Sequence, residues 1–205
     1  MPENDIESPT ICQIKVTLLG TKPPIWRRLL IPADITLERL HKVIQVAMGW
    51  QDCHLHEFRI GKQRFGPPDP MAQVFGGPRT TSEKKTALYS VLDRVRSKAR
   101  YLYDFGDDWD HEILLEKFLA PEPGETYPRC IAGAGQGPPE DCGGVPGFYD
   151  LLDALADPKH PQHDDLVEWM GGEFDPAAFH LELVNQRLRR LQPRTKKVST
   201  APDPI

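Results

Sequence analysis

The chain has 205 residues, of which 39% are hydrophobic and 27% charged, enough for one buried core. Its net charge of −5 gives no overall field for nucleic acid or an anionic membrane, so nucleic-acid binding would need a local basic patch. No apolar run approaches the roughly 20 residues of a membrane span, and the N-terminus lacks the pattern of a signal peptide. We therefore expect a soluble, cytoplasmic protein with no membrane contact. Its four scattered cysteines are expected to be free thiols.

The first third of the chain alternates strand and helix patterns. Residues 12–19 and 25–31 have the apolar alternation of two strands separated by prolines. Residues 36–49 form the clearest helix, with Thr36 as its cap and Gly49 as its stop. Strand periodicity resumes at 52–60. This ββαβ order resembles the start of a β-grasp arrangement.

A central hairpin follows. Aromatic residues alternate from Tyr101 to Phe105 on one face of a strand, and Ile113 and Leu115 supply the apolar face of the returning strand. Residues 106–109 form the turn between them, because Gly and Asp favour turn conformations.

The last third is helical, with helices predicted at 148–156, from Pro161 to about Met170, and from Pro176 to about Leu191. We predict an α+β fold in which the hairpin extends the ββαβ start into a mixed or antiparallel sheet, with three C-terminal helices packed against it. A single domain is expected over 11–192, between a disordered leader at 1–10 and a disordered tail at 193–205.

Two groups of polar residues are candidates for a site. On a strand, two histidines one residue apart project from one face about 7 Å from each other, close enough to share an ion. The acids of the hairpin turn could bind a divalent cation or act as acid and base, or could serve turn chemistry alone. The candidate metal or polar cluster is His54, His56, Asp104, Asp107, Asp108 and His111. The ligand types suit Zn²⁺, Mn²⁺ or Mg²⁺. His111 shares the parity of Ile113, which favours a packed, hydrogen-bonded histidine instead.

A Pro- and Gly-rich segment at 120–147 is too aromatic to be a free linker, and a long ordered loop is usually functional or stapled. Its thiols, Cys130 and Cys142, could ligate zinc with distant histidines, could pair, or could pack. The C-terminal end is basic. Its cations could complement a helix terminus or contact nucleic-acid phosphates. They include Arg187, Arg190, Arg194, Lys196 and Lys197.

Long sequence motifs carry a family resemblance. They are IWRRLLIPADITLERLHKVIQVAMGW, HLHEF, YDFGDDWDHEILLE, YPRCIAG, PPEDCGG and EWMGGEFDP. Together, over about residues 11–190, the chain resembles the plasmid pRiA open-reading-frame-three-like family, whose members are also labelled insertion-element passenger "TnpR" proteins. The resemblance implies association with plasmids or mobile elements and no assigned biochemical activity.

The chain departs from that family at one position. Relatives often have a third cysteine just before PPEDCGG, where this chain has Gly137, so a site with three thiolates cannot form. The resolvase label also fails, since Ser8 lies in an acidic leader without the clustered arginines that a serine recombinase needs.

Three functional hypotheses remain. The first is a non-enzymatic interaction module that presents the Pro-rich loop to a protein partner, favoured because no nucleophile–base motif or phosphate loop occurs. The second is a metal-dependent hydrolase, perhaps for phosphodiesters, that uses the His/Asp cluster. The third is a nucleic-acid-binding accessory protein that uses the basic C-terminus.

Overall fold

The computed structural model describes residues 10–67 and 80–191. Almost all of the predicted leader at 1–10 and the whole predicted tail at 193–205 lie outside the described residues.

The described strands form one sheet. They are β1 (Ile11–Leu18), β2 (Ile25–Pro32), β3 (His56–Ile60), β4 (Gln63–Gly66), β5 (Thr80–Ser82), β6 (Lys98–Tyr103), β7 (Trp109–Leu119) and β8 (Arg129–Ala134). Their order is β5-β4-β3-β6-β7-β1-β2-β8, and every neighbouring pair is antiparallel except β4–β5. The predicted α+β class with a mixed sheet is confirmed.

The central hairpin lies in the middle of this sheet. β7 is 11 residues long and pairs with β1 on one side and with β6 on the other. The strand after the first helix, β3, therefore joins the far side of β6 and does not contact the β1–β2 hairpin through strand pairing. A strand has N–H and C=O groups along both edges, so β7 can pair with β1 and β6 at the same time.

Four helices accompany the sheet in the described ranges. They are α1 (Leu37–Met48), α2 (Gly144–Ala156), α3 (His163–Met170) and α4 (Leu181–Leu188). α1 has the predicted ends: the Thr36 hydroxyl accepts a hydrogen bond from Arg39 N at 3.3 Å, and Gly49 has a left-handed φ of 97°. No described helix is both long and apolar enough to cross a bilayer.

The C-terminal helices differ from the prediction in their starts and in their packing. α2 begins at Gly144, four residues before the predicted start, and α3 begins at His163, two residues after it. The last one begins at Leu181, because Asp175 caps only a short turn, accepting from Ala177 N at 2.9 Å. α3 packs on α2 and buries none of its residues, whereas α2 and α4 bury Phe148 and Leu188 in the core. Of the three predicted helices, α4 packs on β8, α2 contributes Phe148 to the core, and α3 is an outer layer.

The sheet has one apolar and one polar face. Val16 and its register partner Ile113 are buried on the inner face under α1. On the outer face, Arg28 donates to both oxygens of Glu116 at 2.7 and 2.9 Å, and Gln13 donates to the same carboxylate at 2.7 Å. These bonds hold the pKa of Glu116 below its ordinary value. The alternation along each strand thus separates core from solvent.

The core on this side of the sheet buries His41 of α1 and His111 of β7, in addition to His56 of β3. His41 Nδ1 lies 2.7 Å from the Tyr101 hydroxyl, and its Nε2 lies 2.6 Å from Asp52. His111 Nδ1 lies 3.1 and 3.0 Å from the carbonyl oxygens of Tyr101 and Trp109; since carbonyls only accept, Nδ1 carries the hydrogen. Burial lowers the pKa of the imidazoles of His41 and His111 to about 4. His111 is thus a packed, hydrogen-bonded residue, as its parity with Ile113 predicts.

Residues 135–143, which we call the docked loop, are held against α1 and the hairpin. Trp50 Nε1 donates to Pro138 O at 2.9 Å, and Gln51 N donates to the Glu140 carboxylate at 2.7 Å. Gly137 permits the approach, because a Cβ there would lie 2.0 Å from Met48 O. A cysteine at this position would meet the same obstacle.

Folding stability should fall as pH drops from about 6.5 to 4. His41 and His111 titrate at about 4 when folded and near 6.5 when unfolded, so the unfolded chain binds two more protons in this window. The free energy of unfolding should fall with a slope of up to about 2.7 kcal/mol per pH unit from these groups. Urea unfolding at pH 7, 6 and 5 measures it.

His111→Gln should reduce that slope by about half, whereas His160→Gln, at a partly exposed loop position, should leave it unchanged. Equal slopes in wild type and His111→Gln would contradict the assignment.

Gly137→Ala should destabilise the protein by about 1–3 kcal/mol, because the new methyl group overlaps the Met48 carbonyl and pushes the docked loop away. Gly172→Ala is the matched control, since a Cβ there has no atom within 4 Å. That control should change the free energy of unfolding by no more than about 0.5 kcal/mol. Thermal and urea unfolding of both variants test the difference, and equal effects would refute it.

Candidate functional site

Three separate stretches of chain meet around the imidazole of His54. The segment before β3 supplies Cys53 and His54, the end of β6 supplies Asp104, and the docked loop supplies Glu140 and Asp141. The Nε2 atom of His54 lies 2.9 Å from Asp141 Oδ1, 3.6 Å from Asp104 Oδ2 and 3.9 Å from Glu140 Oε2. The Cys53 thiol lies within 4.8 Å of the ligand atoms of His54 and Glu140. Two groups of possible ligand atoms therefore share His54: one with Cys53 and Glu140, the other with Asp104 and Asp141, and within each group all atoms lie within 4.8 Å of one another. We call the five residues together the His54 cluster.

The Nε2 atom of His54 is shielded from solvent, yet it makes no hydrogen bond to the described residues. The distance of 2.9 Å from Nε2 to Asp141 Oδ1 is short enough for a hydrogen bond, but the oxygen does not lie in the direction that a hydrogen bond requires. Asp104 and Glu140 are too distant for a hydrogen bond. The imidazole nitrogen and the surrounding carboxylate oxygens are ligand types that divalent cations use.

Two of the carboxylates belong to residues with a left-handed backbone conformation. Asp104 and Asp141 have φ values of 56° and 59°, in the left-handed region that non-glycine residues rarely occupy. Asp104 Oδ1 accepts from Gly106 N at 2.9 Å, which leaves Oδ2 for the cluster. Such conformations are retained only where the surrounding structure enforces them.

Hydrogen bonds fix the third carboxylate. Glu140 accepts from Gln51 N at 2.7 Å and from the Tyr103 hydroxyl at 3.1 Å. The same hydroxyl accepts from Cys53 N at 3.1 Å. Burial, together with the neighbouring Cys53 thiol and Glu140, raises the pKa of Tyr103, so the phenol stays protonated and continues to donate. Tyr103 thus ties the docked loop to the segment that carries His54.

The potential counter-charge within the cluster is the imidazole of His54 itself. Among residues 10–67 and 80–191, no Lys or Arg forms an ion pair with Asp104, Glu140 or Asp141. Three carboxylates and one imidazole therefore share a negative potential. Mixed oxygen and nitrogen donors suit Mn²⁺ or Zn²⁺ better than Mg²⁺, which prefers oxygen alone.

The predicted pairing of His54 with His56 does not occur. β3 begins at His56, so His54 precedes the strand and the alternation that would place both on one face does not apply. His56 Nε2 lies 2.7 Å from the buried Glu83 carboxylate. Its ring stacks on His41 with centroids 3.5 Å apart. His56 belongs to a separate buried network.

The remaining acids of the hairpin serve the turn. Asp107 Oδ2 accepts from Gly143 N at 3.1 Å, which joins the hairpin end to the docked loop. Asp108 is exposed and has a φ of 58°. Neither belongs to a group of ligand atoms within 4.8 Å, and His111 lies in the core. Of the six predicted residues, the structure brings together His54 and Asp104.

The loop thiols lie apart from the cluster. Cys130 is buried in β8, where its thiol donates to Ala132 O at 3.4 Å, and Asn185 of α4 bonds its backbone. Burial raises the pKa of Cys130 to about 11 and that of Cys142 to about 12. All four cysteines are free, as predicted, and neither loop thiol joins a group of metal ligands within the described ranges.

The predicted basic patch is only partly visible. Arg187 and Arg190 are exposed at the end of α4, whereas Arg194, Lys196 and Lys197 lie outside the described residues. Nucleic-acid contact through these residues stays a prediction.

A cleft of about 530 Å³ lies between the end of α1, the docked loop and the chain around α4. Glu140 lines it, so the cleft reaches the His54 cluster. Its wall includes Arg27, Trp50, Phe174, Phe179, Leu183 and Arg187. The volume is in the range of sites for small molecules.

Sequence reasoning missed Cys53, Glu140 and Asp141. The signal for the two acids was present in PPEDCGG, where they precede a pair of glycines that the hairpin contacts. Hydrophobic periodicity predicts strands and helices, whereas these two acids lie in a Pro-rich loop that has no such periodicity.

Comparisons with known proteins agree with this architecture. The family described as "Plasmid pRiA4b ORF-3-like protein" matches residues 10–183. The uncharacterized protein y4hQ of Sinorhizobium fredii (strain NBRC 101917 / NGR234) is 38% identical over 178 residues, covering 86% of this chain and 90% of the relative. The crystal structure of MM3350, a protein of unknown function from Methanosarcina mazei Go1, matches with a TM-score of 0.75 and 38% identity, covering 86% of this chain and 97% of that one. The resemblance in the sequence motifs is thereby confirmed, and the chain belongs to the plasmid pRiA4b ORF-3-like family.

Proposed function

We propose that this protein is a hydrolase that binds one divalent cation at the His54 cluster and uses that cation in catalysis. The observation that carries the proposal is the shielded, unbonded Nε2 of His54 among the oxygens of Asp104, Glu140 and Asp141. Mn²⁺ and Zn²⁺ are the cations that fit this donor set. The proposal keeps the predicted chemistry but replaces His56, Asp107, Asp108 and His111 with the two acids of the docked loop.

A cation there would have a clear chemical use. A bound metal lowers the pKa of its water to about 7, which supplies hydroxide at neutral pH. Asp141 is the most exposed of the carboxylates, with 66% of its side chain accessible, so its side of the cluster is open to water. Glu140 faces the cleft, where a substrate would lie beside the cation. An ester or phosphodiester is the class of substrate that such a centre hydrolyses.

Metal binding tests the proposal directly. The full chain, purified without a His tag and dialysed against EDTA, should bind Mn²⁺ or Zn²⁺ at one site by isothermal titration calorimetry. His54→Ala and Asp104→Asn should weaken that binding by at least about tenfold, since each removes a ligand. Hydrolysis of bis(4-nitrophenyl) phosphate should depend on the metal and disappear in His54→Ala.

Asp108→Asn is the matched control, because it removes an exposed carboxylate of the same hairpin turn that lies outside the cluster. It should bind metal as the wild type does. No metal binding, or equal weakening in Asp108→Asn and Asp104→Asn, would refute the cluster. Metal binding without hydrolysis would support the metal site and refute the hydrolase activity.

A second candidate function is the interaction module. It is supported by α3, which buries no residue and leaves Val167 and Trp169 43% and 49% exposed. Large apolar side chains at the surface are frequent anchors of protein interfaces. The docked loop is less suited to recognition than the sequence indicates, because its backbone and side chains are bonded to α1 and the hairpin.

For this function, cross-linking in the host cell followed by mass spectrometry should recover a partner with the wild type. Trp169→Glu should lose that partner, since it places a charge in an apolar contact. The control Glu168→Ala changes the adjacent exposed residue and should retain it. Recovery of the same proteins with both variants would count against α3 as the interface.

A further inference from the structure

Arg27 is a buried cation that has not used all of its hydrogen-bond donors. It lies in β2 and is 3% exposed. Its Nε donates to Ala47 O at 2.8 Å, and its Nη1 donates to Trp26 O at 2.9 Å and to Ala134 O at 3.0 Å. A guanidinium has five N–H groups, so the two on Nη2 have no acceptor within the part of the chain that the structure describes.

Arg27 also lacks a counter-ion. No carboxylate of the described residues forms an ion pair with it. Burial lowers the pKa of Arg27 to about 10, which still leaves it protonated at neutral pH. Three carbonyl dipoles and the ring of Phe179, with its centroid 4.7 Å away, offset part of the cost of burying this charge. An uncompensated buried cation is otherwise expensive.

The structural role of Arg27 accounts for only part of this arrangement. Its bonds to Ala47 and Ala134 join the C-terminal end of α1 to β8, which is a sufficient reason for the three donors in use. That role leaves the charge and Nη2 unexplained.

The surroundings of Arg27 specify an anion. The residue lines the 530 Å³ cleft, which is where an acceptor for Nη2 can enter. The cleft wall contains two acids, Glu140 and Glu173, and neither forms an ion pair with Arg27; Glu140 is bonded to Gln51 and Tyr103. Phe179 covers the guanidinium from one face, and Gly133 makes room for the ring, because a Cβ there would lie 2.6 Å from it. Since Nε and Nη1 already have carbonyl acceptors, Nη2 is the part of the guanidinium left for a ligand oxygen.

The rest of the wall describes the body of the ligand. Trp50, Phe174 and Leu183 give the cleft apolar surface beside the cationic end. Sites of this size hold drug-sized molecules by apolar contact and orient them with a few polar groups.

We infer that the cleft binds a small organic anion, with a carboxylate or phosphate oxygen on Arg27 Nη2 and an apolar, preferably aromatic, body against Trp50 and Phe174. This site stands whether or not the His54 cluster holds a cation. If the cluster does hold a cation, the anion would lie next to it, because Glu140 belongs to both the cluster and the cleft wall. Small organic anions are then the substrate class of the hydrolase, an inference that rests on the proposed function.

The test uses the EDTA-treated full chain at pH 7, titrated calorimetrically with benzoate, phenyl phosphate and benzamide. Benzamide has the shape of benzoate without its charge. The anions should bind at one site, and benzamide should bind at least about tenfold more weakly, the loss typical of a charge-assisted hydrogen bond. The relative affinities of benzoate and phenyl phosphate identify which anionic group the site prefers.

Arg27→Met should weaken anion binding by at least about tenfold, while Arg28→Met should not change it, because Arg28 is bonded to Glu116 on the opposite face of the sheet. If Arg27→Met does not fold, Ala178→Trp fills the cleft without removing the guanidinium and should abolish binding.

Equal affinities for benzamide and benzoate, unchanged binding in Ala178→Trp, or no binding of either anion would overturn the inference. Asp104→Asn separates the two proposals: it should bind benzoate normally in EDTA even when metal binding is lost.

Discussion

The close approach of the docked loop to its neighbours is the constraint on which the rest of this structure depends. Gly137 lies against the backbone of Met48, and Gly144 lies against that of Asp107, where a Cβ would come within 2.3 Å of the carbonyl oxygen. Glycine is the residue that permits such contacts. With these contacts in place, the loop brings Glu140 and Asp141 to His54 and closes one side of the cleft. The candidate site therefore depends on glycines that touch no ligand.

The core beneath the loop combines apolar packing with polar chains. Asp52, His41 and Tyr101 are linked through hydrogen bonds, and Gln45 donates to the same phenol at 3.0 Å. Such buried networks fix the position of a helix over a sheet more specifically than apolar contact does, because each donor has few acceptable partners. His41 is neutral at pH 7, because burial in the core lowers the pKa of its imidazole to about 4. The network sets α1 in register with β6 and thereby sets the position of Trp50 and Gln51, which hold the loop.

Charge is distributed unevenly across the cleft. The carboxylates of the His54 cluster pair with His54 and with no Lys or Arg of the described residues, and Arg27, on the wall of the same cleft, forms no ion pair with a described carboxylate. Proteins commonly neutralise partly buried charges internally, since leaving them unpaired costs stability. This distribution of charge is the basis of the two proposed ligands, a cation at the His54 cluster and an anion at Arg27. A cation and an anion held side by side would also neutralise each other.

The sequence by itself determined the elements: β1, β2, α1 and the central hairpin follow from periodicity and caps, and the family follows from long motifs. It also identified His54 and Asp104 as candidate site residues, which the structure brings together, and it predicted the free thiols. Only the tertiary structure decided that β7 pairs with β1, that His56 turns to Glu83, and that Glu140 and Asp141 complete the cluster. The physical reason is that periodicity encodes which face of an element is buried, whereas contacts between a non-periodic loop and distant strands depend on how the elements pack. Arg27 illustrates the limit: its alternation places it on the inner face of β2, and packing alone decides that its charge meets a cleft and not a carboxylate.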